Sequence, residues 1–526
     1  MGARTAAALI ALAALPAAAL SQDAEHPGKA TYERWCAGCH GVDGAGEGAA
    51  AGHMLPRPRD FTQALYQVRT TTSGALPTDA DILRVIDEGM PGTSMPGWKD
   101  QLSRRERQAL VSYLKTFSRF FENEEAPPPL ELGSPPRIDD DALARGREVY
   151  DQVECWKCHG RSGRGNGTSA PTQEDDNGHP IRPANLTESW RFNGGGSLED
   201  IHARLLTGLD GTPMPSSADL ISGGVATEED LWYLAAYVRS LSPEKAPRPA
   251  EVVRAALRPE GLPAGPDDDA WSELPRYWVP LVGQVIQEPR WFAPTINGVW
   301  VQAAHDDREV VLRLTWHDPS ESPSPEWADW RRRIAQFMEP KEEPAPAEGP
   351  LPDALTVQFP AALPEGRDLP FFLGGDARRQ VYLWRWRSDA GVDEAAGRGF
   401  GNEEALPADA GAVTGEAVFE DGEWRLVLRR PIAAGEGRLE LEAGTAIPMA
   451  LFAWDGDNAE TGKRASVSSW YYLWLDQPVA AGTYTVPLIA MVITALLGLL
   501  LVSQAQKAAE RQARIHPDTQ TIPEGV

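Results

Sequence analysis

Two small all-α domains, then an antiparallel β-sandwich, then one C-terminal transmembrane helix: three features of the sequence predict this multidomain fold class. The first half contains a tandem repeat whose copies each close on a helical apolar pattern. The second half turns to period-two alternation and holds 13 of the 18 tryptophans, between Trp271 and Trp474. Near the end, no charged residue occurs between Asp476 and Lys507. A chain of 526 residues, 42% hydrophobic and 24% charged, has room for several cores at roughly 100 to 200 residues per domain. Its 50 basic and 76 acidic residues give a net charge of −26, which argues against a nucleic-acid partner, since such proteins offer Lys and Arg to phosphates. An acidic body favours basic partners or serves solubility alone.

In chain order, residues 1–21 carry one arginine, an Ala/Leu-rich run and small residues before Ser21-Gln22-Asp23, the pattern of a secretory signal peptide. The first helical domain is expected over 22–121 and the second over 140–243, with a Pro-rich linker at 122–139 and a longer linker at 244–268. The repeat extends well beyond one motif. Cys36-Ala37-Gly38-Cys39-His40 is matched by Cys155-Trp156-Lys157-Cys158-His159, Arg57-Pro58-Arg59 by Arg182-Pro183-Ala184, and Gly92-Thr93-Ser94-Met95-Pro96 by Gly211-Thr212-Pro213-Met214-Pro215. From His40 to Met95 is 55 residues, and from His159 to Met214 is again 55. Each copy then opens a helix with a capping signature, Ser103 to Glu106 and Thr227 to Asp230.

All four cysteines fall in the two C-x-x-C-H strings. Two thiols three residues apart can each add to one porphyrin vinyl group, with the adjacent histidine under the iron, so the string reads as a c-type haem attachment site. A thioredoxin-like pair would need an αβ context, and a zinc site a second C-x-x-C in the same domain. Cys36, Cys39, Cys155 and Cys158 are therefore expected to anchor two haem c groups, with His40 and His159 as proximal iron ligands. Met95 and Met214 are the expected distal ligands. Met90 is a rival only in the first repeat, because Leu209 stands at its place in the second. Trp35 and Trp156, next to the attachment strings, are expected to pack on a haem edge or in the ordinary core.

These segments resemble class I cytochromes c, over roughly 28–120 and 141–241. The resemblance implies coordinatively full His/Met iron, suited to outer-sphere electron transfer.

The sandwich is expected over 269–478, with alternation at 312–316, 381–387, 424–429 and 439–441. Asp353-Ala354-Leu355-Thr356-Val357-Gln358-Phe359-Pro360, Pro370-Phe371-Phe372-Leu373-Gly374-Gly375-Asp376, Val381-Tyr382-Leu383-Trp384-Arg385-Trp386, Asp421-Gly422-Glu423-Trp424 and Ala453-Trp454-Asp455-Gly456 resemble the haem-b-binding γ subunit of ethylbenzene dehydrogenase and its relatives. That resemblance implies a β-sandwich taking electrons from a molybdenum enzyme through a haem b with Met and Lys ligands. The chain departs from it: the segment Leu373-Gly374-Gly375 has no Met, and Lys463 matches the Lys only approximately. Met449, Met338, His305 and His317 are the conceivable substitutes. The membrane helix is expected over 483–503, long enough for a hydrocarbon core of about 30 Å at ~1.5 Å per residue. A tail at 504–526 begins with Lys507, Arg511 and Arg514, which places it in the cytoplasm and the body in the periplasm, on the inner membrane.

The expected function is electron transfer in a respiratory chain, as partner or subunit of a molybdoenzyme, an oxidase or a soluble cytochrome. The alternatives are a dihaem redox enzyme of the peroxidase or thiosulfate dehydrogenase type, or a haem redox sensor with a binding sandwich.

Overall fold

The computed structural model describes residues 25–306, 308–337, 349–364, 366, 368–409, 411–433, 435, 437–478 and 482–515. The expected signal peptide, Met338 and the end of the tail lie outside the described residues.

The first helical domain is built on helices Lys29–Trp35, Ala37–His40, Asp79–Glu88 and Arg104–Lys115. The second repeats them as Asp140–Gln152, Trp156–His159, Leu198–Thr207 and Glu228–Ser240. Both closing helices start where the capping signatures placed them. Ser103 and Glu106 exchange side-chain to backbone hydrogen bonds, and Thr227 and Asp230 do the same, satisfying N–H groups that have no partner within the helix. Their apolar faces form the two cores, around Leu110, Val111 and Leu114 and around Leu231, Leu234 and Val238.

In each domain the first helix crosses the last one at a glycine. A Cβ on Gly28 would lie 2.2 Å from the Ala109 carbonyl oxygen, and one on Gly146 would lie 2.0 Å from that of Tyr233. Only hydrogen fits between the backbones at these crossings.

The sandwich consists of β1 (Val252–Leu257), β2 (Tyr277–Pro280), β3 (Val282–Gly283), β4 (Gly298–His305), β5 (Glu309–His317), β6 (Ala354–Pro360) and β7 (Val381–Arg387). Then follow β8 (Gly391–Gly397), β9 (Glu403–Ala405), β10 (Thr414–Glu420), β11 (Glu423–Pro431), β12 (Ala446–Trp454), β13 (Ser466–Val467) and β14 (Tyr471–Leu475). One face carries the order β10-β11-β5-β4-β1-β14 and the other β6-β7-β8-β9; β12 joins them, pairing with β14 through Ala446–Met449 and with β6 through Ala450–Trp454. Leu312, Leu314 and Trp316 from one face meet Val357, Phe359, Trp384 and Trp386 from the other in a single core.

Three expectations are corrected here. The sheet is mixed rather than antiparallel, because β1 runs parallel to both β4 and β14. That strand lies inside the stretch expected to be linker, where prolines at 247, 249, 259, 263 and 266 mask six residues of strand. Residues 439–441 form no strand: Leu439 and Leu441 are buried in the core, as their alternation predicts, but on an irregular segment.

The C-terminal helix runs as one element from Gly482 to Ile515, through the basic residues that follow the apolar stretch. Its most apolar window has a mean hydropathy of 2.6 and none of it is buried against the rest of the chain. It is long and apolar enough to cross a membrane.

Candidate haem sites

In both repeats the attachment string is one turn of helix, closed by a glycine of positive φ, Gly41 at 77° and Gly160 at 80°. The turn is fixed by the same backbone bonds: His40 N–H donates to Cys36 O and His159 N–H to Cys155 O, both at 2.9 Å. A tyrosine from the first helix locks each turn from below, Tyr32 donating to Gly41 O at 2.7 Å and Tyr150 to Gly160 O at 2.6 Å. The second repeat has one more residue between tyrosine and cysteine, and Glu154 absorbs it at a φ of 60°. The tyrosines thus keep their place despite the insertion.

The histidines are oriented identically. Nδ1 of His40 lies 2.9 Å from the Arg59 carbonyl oxygen, and Nδ1 of His159 lies 3.0 Å from that of Ala184. A protonated Nδ1 donating to a carbonyl leaves Nε2 unprotonated and directs it away from that partner, as a metal-binding imidazole requires. Burial lowers both histidine pKa values, which keeps that lone pair free. The two carbonyls belong to the Arg-Pro segments that the repeat had already paired; the segments earn their recurrence by holding the imidazoles.

The methionine loops agree bond for bond. Met90 N–H donates to Met95 O and Leu209 N–H to Met214 O, both at 3.0 Å. Thr93 Oγ1 donates to Met90 O at 2.8 Å and Thr212 Oγ1 to Leu209 O at 2.7 Å. The place of Met90 therefore works through its backbone, which leucine serves as well.

His40, Cys36, Cys39 and Met95 line one apolar pocket, walled by Phe61 and Ile86. Phe61 stacks on His40 with ring centroids 4.5 Å apart. Met90 also borders this pocket, and so does Trp35. Trp156 is not its counterpart: it follows the first cysteine of its string, where Trp35 precedes it, and it packs in the second core with Arg161 over its ring. Burial pushes the Cys36 and Cys155 thiols up to about 11, the reverse of the lowered thiol of a thioredoxin-like pair. The residues present fit a porphyrin held by two thioethers, with the imidazole on one side and the thioether loop lining the same pocket.

In the second repeat Cys155 and Met214 pack against one core, and two matching attachment turns with oriented imidazoles define a c-type cytochrome. Comparison with known proteins agrees: residues 23–114 match the family model of cytochrome c oxidase, cbb3-type, subunit III, and residues 143–242 match that of cytochrome c. The chain carries two cytochrome c domains and hence covalently bound haem c. Among curated relatives, a protein named "Putative respiratory nitrate reductase heme subunit ORF7" from Haloferax mediterranei is 27% identical over 230 residues, 43% of this chain and 73% of that one. The dimethylsulfide dehydrogenase subunit gamma of Rhodovulum sulfidophilum is 23% identical over 227 residues, 40% of this chain and 76% of that one. A solved structure, the Kuenenia stuttgartiensis reducing HAO-like protein complex Kustc0457/Kustc0458, is 45% identical over 41% of this chain and 96% of the matched chain, with a TM-score of 0.39.

The two haem domains are docked through residues that the motifs did not single out. Arg69 of the first, fully buried, donates to Thr207 O at 2.8 Å and pairs with Asp210 at 2.8 Å in the second. Both ligand loops face this seam: Gly92 packs on the Arg191 carbonyl and Gly211 on the Arg59 guanidinium. The second domain also docks on the sandwich. Arg182 donates to Asn458 Oδ1 at 2.7 Å and to Thr295 Oγ1, and Arg164 pairs with Glu423 at 2.9 Å. Arg69 had no motif to mark it, whereas Arg182 stood in the repeat with nothing to show that it faced outward.

The place where the second resemblance puts a haem b does not fit one. Leu373 is fully buried against Phe452, Ala465 and Val467, so packed side chains occupy the position of the missing thioether. Met449 lies in the sandwich core. His305 faces the carbonyl oxygens of Asp306 and Asp476 at 2.9 and 2.8 Å, and His317 that of Gly422 at 3.0 Å, so both hold backbone turns.

Proposed function

We propose that the chain is a membrane-anchored dihaem cytochrome c that carries electrons for a respiratory oxidoreductase, as its subunit or partner. Cys36, Cys39, Cys155 and Cys158 hold the porphyrins, His40 and His159 bind iron on one side, and Met95 and Met214 bind it on the other. The observation that carries this reading is the bond-for-bond agreement of the two sites. With His40 and Met95 at one haem and His159 and Met214 at the other, each iron would have both axial positions filled by this chain, leaving none for substrate as an enzyme of the peroxidase type would need. Bound haem supplies one-electron chemistry; the protein orients the imidazoles, excludes water around them and holds the two ligand loops at one seam.

The names of the nitrate reductase haem subunit and the dimethylsulfide dehydrogenase γ subunit support a place in a respiratory complex, and the resemblance of the sandwich to the ethylbenzene dehydrogenase γ subunit points to a molybdenum enzyme as the partner. In this reading the sandwich serves as a docking platform without a haem of its own. The C-terminal helix anchors the chain in the inner membrane with the body in the periplasm. Affinity purification from mildly solubilised membranes tests the assignment. A co-purifying molybdenum or oxidase subunit that reduces or oxidises both haems is expected, whereas a lone chain with peroxide or thiosulfate turnover would overturn it.

A further inference from the structure

At one end of the sandwich three strands stop on aspartates. Asp318 follows β5, Asp353 precedes β6 and Asp455 follows β12. β6 and β12 are paired, with Ala354 opposite Trp454, while β5 belongs to the other face, so the three carboxylates bridge both faces of the fold. Each presents an oxygen within 4.8 Å of the other two, and their exposures are 0%, 0% and 1%. Three of the phrases that carried the second resemblance converge here, since Trp424 Nε1 donates to Asp353 Oδ2 at 3.1 Å.

Neighbouring acids in the same region are fully served. Glu460 accepts from Trp291, Thr295, Asn458 and the Asp455 N–H, and Asp457 from Ser320, Ser324 and Arg331. Within the trio, Asp353 accepts from the Ser322 and Gly456 N–H groups and from Trp424, and Asp455 Oδ1 accepts from the Asn458 N–H. Asp318 is the exception: its Oδ1 accepts a long bond from the Ser320 N–H, 3.3 Å, and its Oδ2 is buried with no hydrogen-bond partner among the described residues. An ionised oxygen without a donor or counter-ion in such a place is strongly unfavourable, as burial of an unpaired charge is. The guanidinium of Arg182, 3.6 Å from Asp455 Oδ2, brings one positive charge against three negative ones.

We propose that Asp318, Asp353 and Asp455 bind one Ca²⁺. The donor set is all carboxylate, with neither histidine nor cysteine in it, which selects a hard cation. Three oxygens from strand ends of different direction suit the irregular shell of Ca²⁺ better than the strict octahedron of Mg²⁺. A divalent ion also closes the charge balance that Arg182 leaves open. The ion clips the two faces of the sandwich together beneath the loop that receives Arg182, so it steadies the surface on which the second haem domain sits.

The test uses the full-length holoprotein in detergent, stripped with a chelator and titrated with CaCl₂ by calorimetry while thermal unfolding is followed. One Ca²⁺ per chain and a melting temperature that rises with Ca²⁺ are expected, because a ligand bound only by the folded state stabilises it. Asp318→Asn keeps the size of the side chain and is expected to weaken binding at least about 100-fold, with both haem spectra unchanged. Stripped wild-type protein that takes up no Ca²⁺, or a folded D318N variant with undiminished affinity, overturns the proposal. Tight uptake of Mg²⁺ in place of Ca²⁺ overturns the choice of ion. If D318N does not fold, the wild-type titration decides alone.

Discussion

Nδ1 of His159 lies 3.0 Å from the carbonyl oxygen of Ala184. Two residues before that carbonyl, Arg182 is held in the sandwich by Asn458 and Asp455. The seam between the second haem domain and the sandwich is therefore linked through two peptide units to the proximal imidazole. Replacing Arg182 with alanine removes one positive charge from beside the buried Asp455 and breaks the hydrogen bond to Asn458, which is expected to cost about 3 kcal/mol at the seam. Potentiometric titration of R182A should shift the midpoint of one haem and leave the other in place, because the corresponding carbonyl of Arg59 belongs to the first domain. Equal shifts of both haems would contradict this link.

Met95→Ala is expected to convert one of the two haems to a high-spin form that binds cyanide or carbon monoxide, with both groups still covalently attached. Met90→Leu is expected to leave the optical spectrum unchanged, since Leu209 makes the same backbone contact in the second repeat. Magnetic circular dichroism and cyanide titration of the two variants check the pair. A spectral loss in M90L with none in M95A would reverse the ligand assignment.

The crossing at Gly146 tolerates no side chain. Gly146→Ala would put a methyl group 2.0 Å from the Tyr233 carbonyl oxygen, backbone against backbone, so the helices must separate. The expected loss is about 3 kcal/mol, at the upper end of ordinary overpacking. Denaturant unfolding followed at the second haem measures it.

Asp230 links the closing helix of the second domain to the first through Arg145, at 2.7 Å. That hydrogen bond, followed by those from Thr227, holds its carboxyl down at about 2 against burial. A pKa lower in the folded state than in the unfolded state means the native protein binds fewer protons. The stabilisation, about 2 kcal/mol at most, is present above pH ~4 and is lost as pH falls toward 2. Asp230→Asn should flatten that acid limb of the second domain's stability curve; an unchanged limb would assign it to other carboxylates.

Features repeated in the sequence were the most legible. The attachment strings, the methionine loops and the two capping boxes each appeared twice at matching positions, so periodicity and spacing located them without tertiary information. The Arg-Pro segments were visible as repeats, but their purpose was not, because a carbonyl that orients an imidazole leaves no side-chain signature. β1 was hidden because its burial comes from strands more than forty and two hundred residues away, and its local composition is that of a proline-rich connection. Gly28 and Gly146 carry meaning only once two helices cross. Asp353 and Asp455 were in view as parts of familiar phrases and Asp318 was not, and their convergence depends on the two faces closing over one core.

The central claim is that the haem complement is two covalent groups, one per helical domain, with none in the sandwich. Its most direct test is a pyridine haemochrome determination on the purified full-length chain, with haem b and haem c distinguished and the iron counted per polypeptide. Two haem c and no haem b per chain, both low-spin as isolated, is the predicted result. A single haem c, or a stoichiometric haem b, would contradict the account.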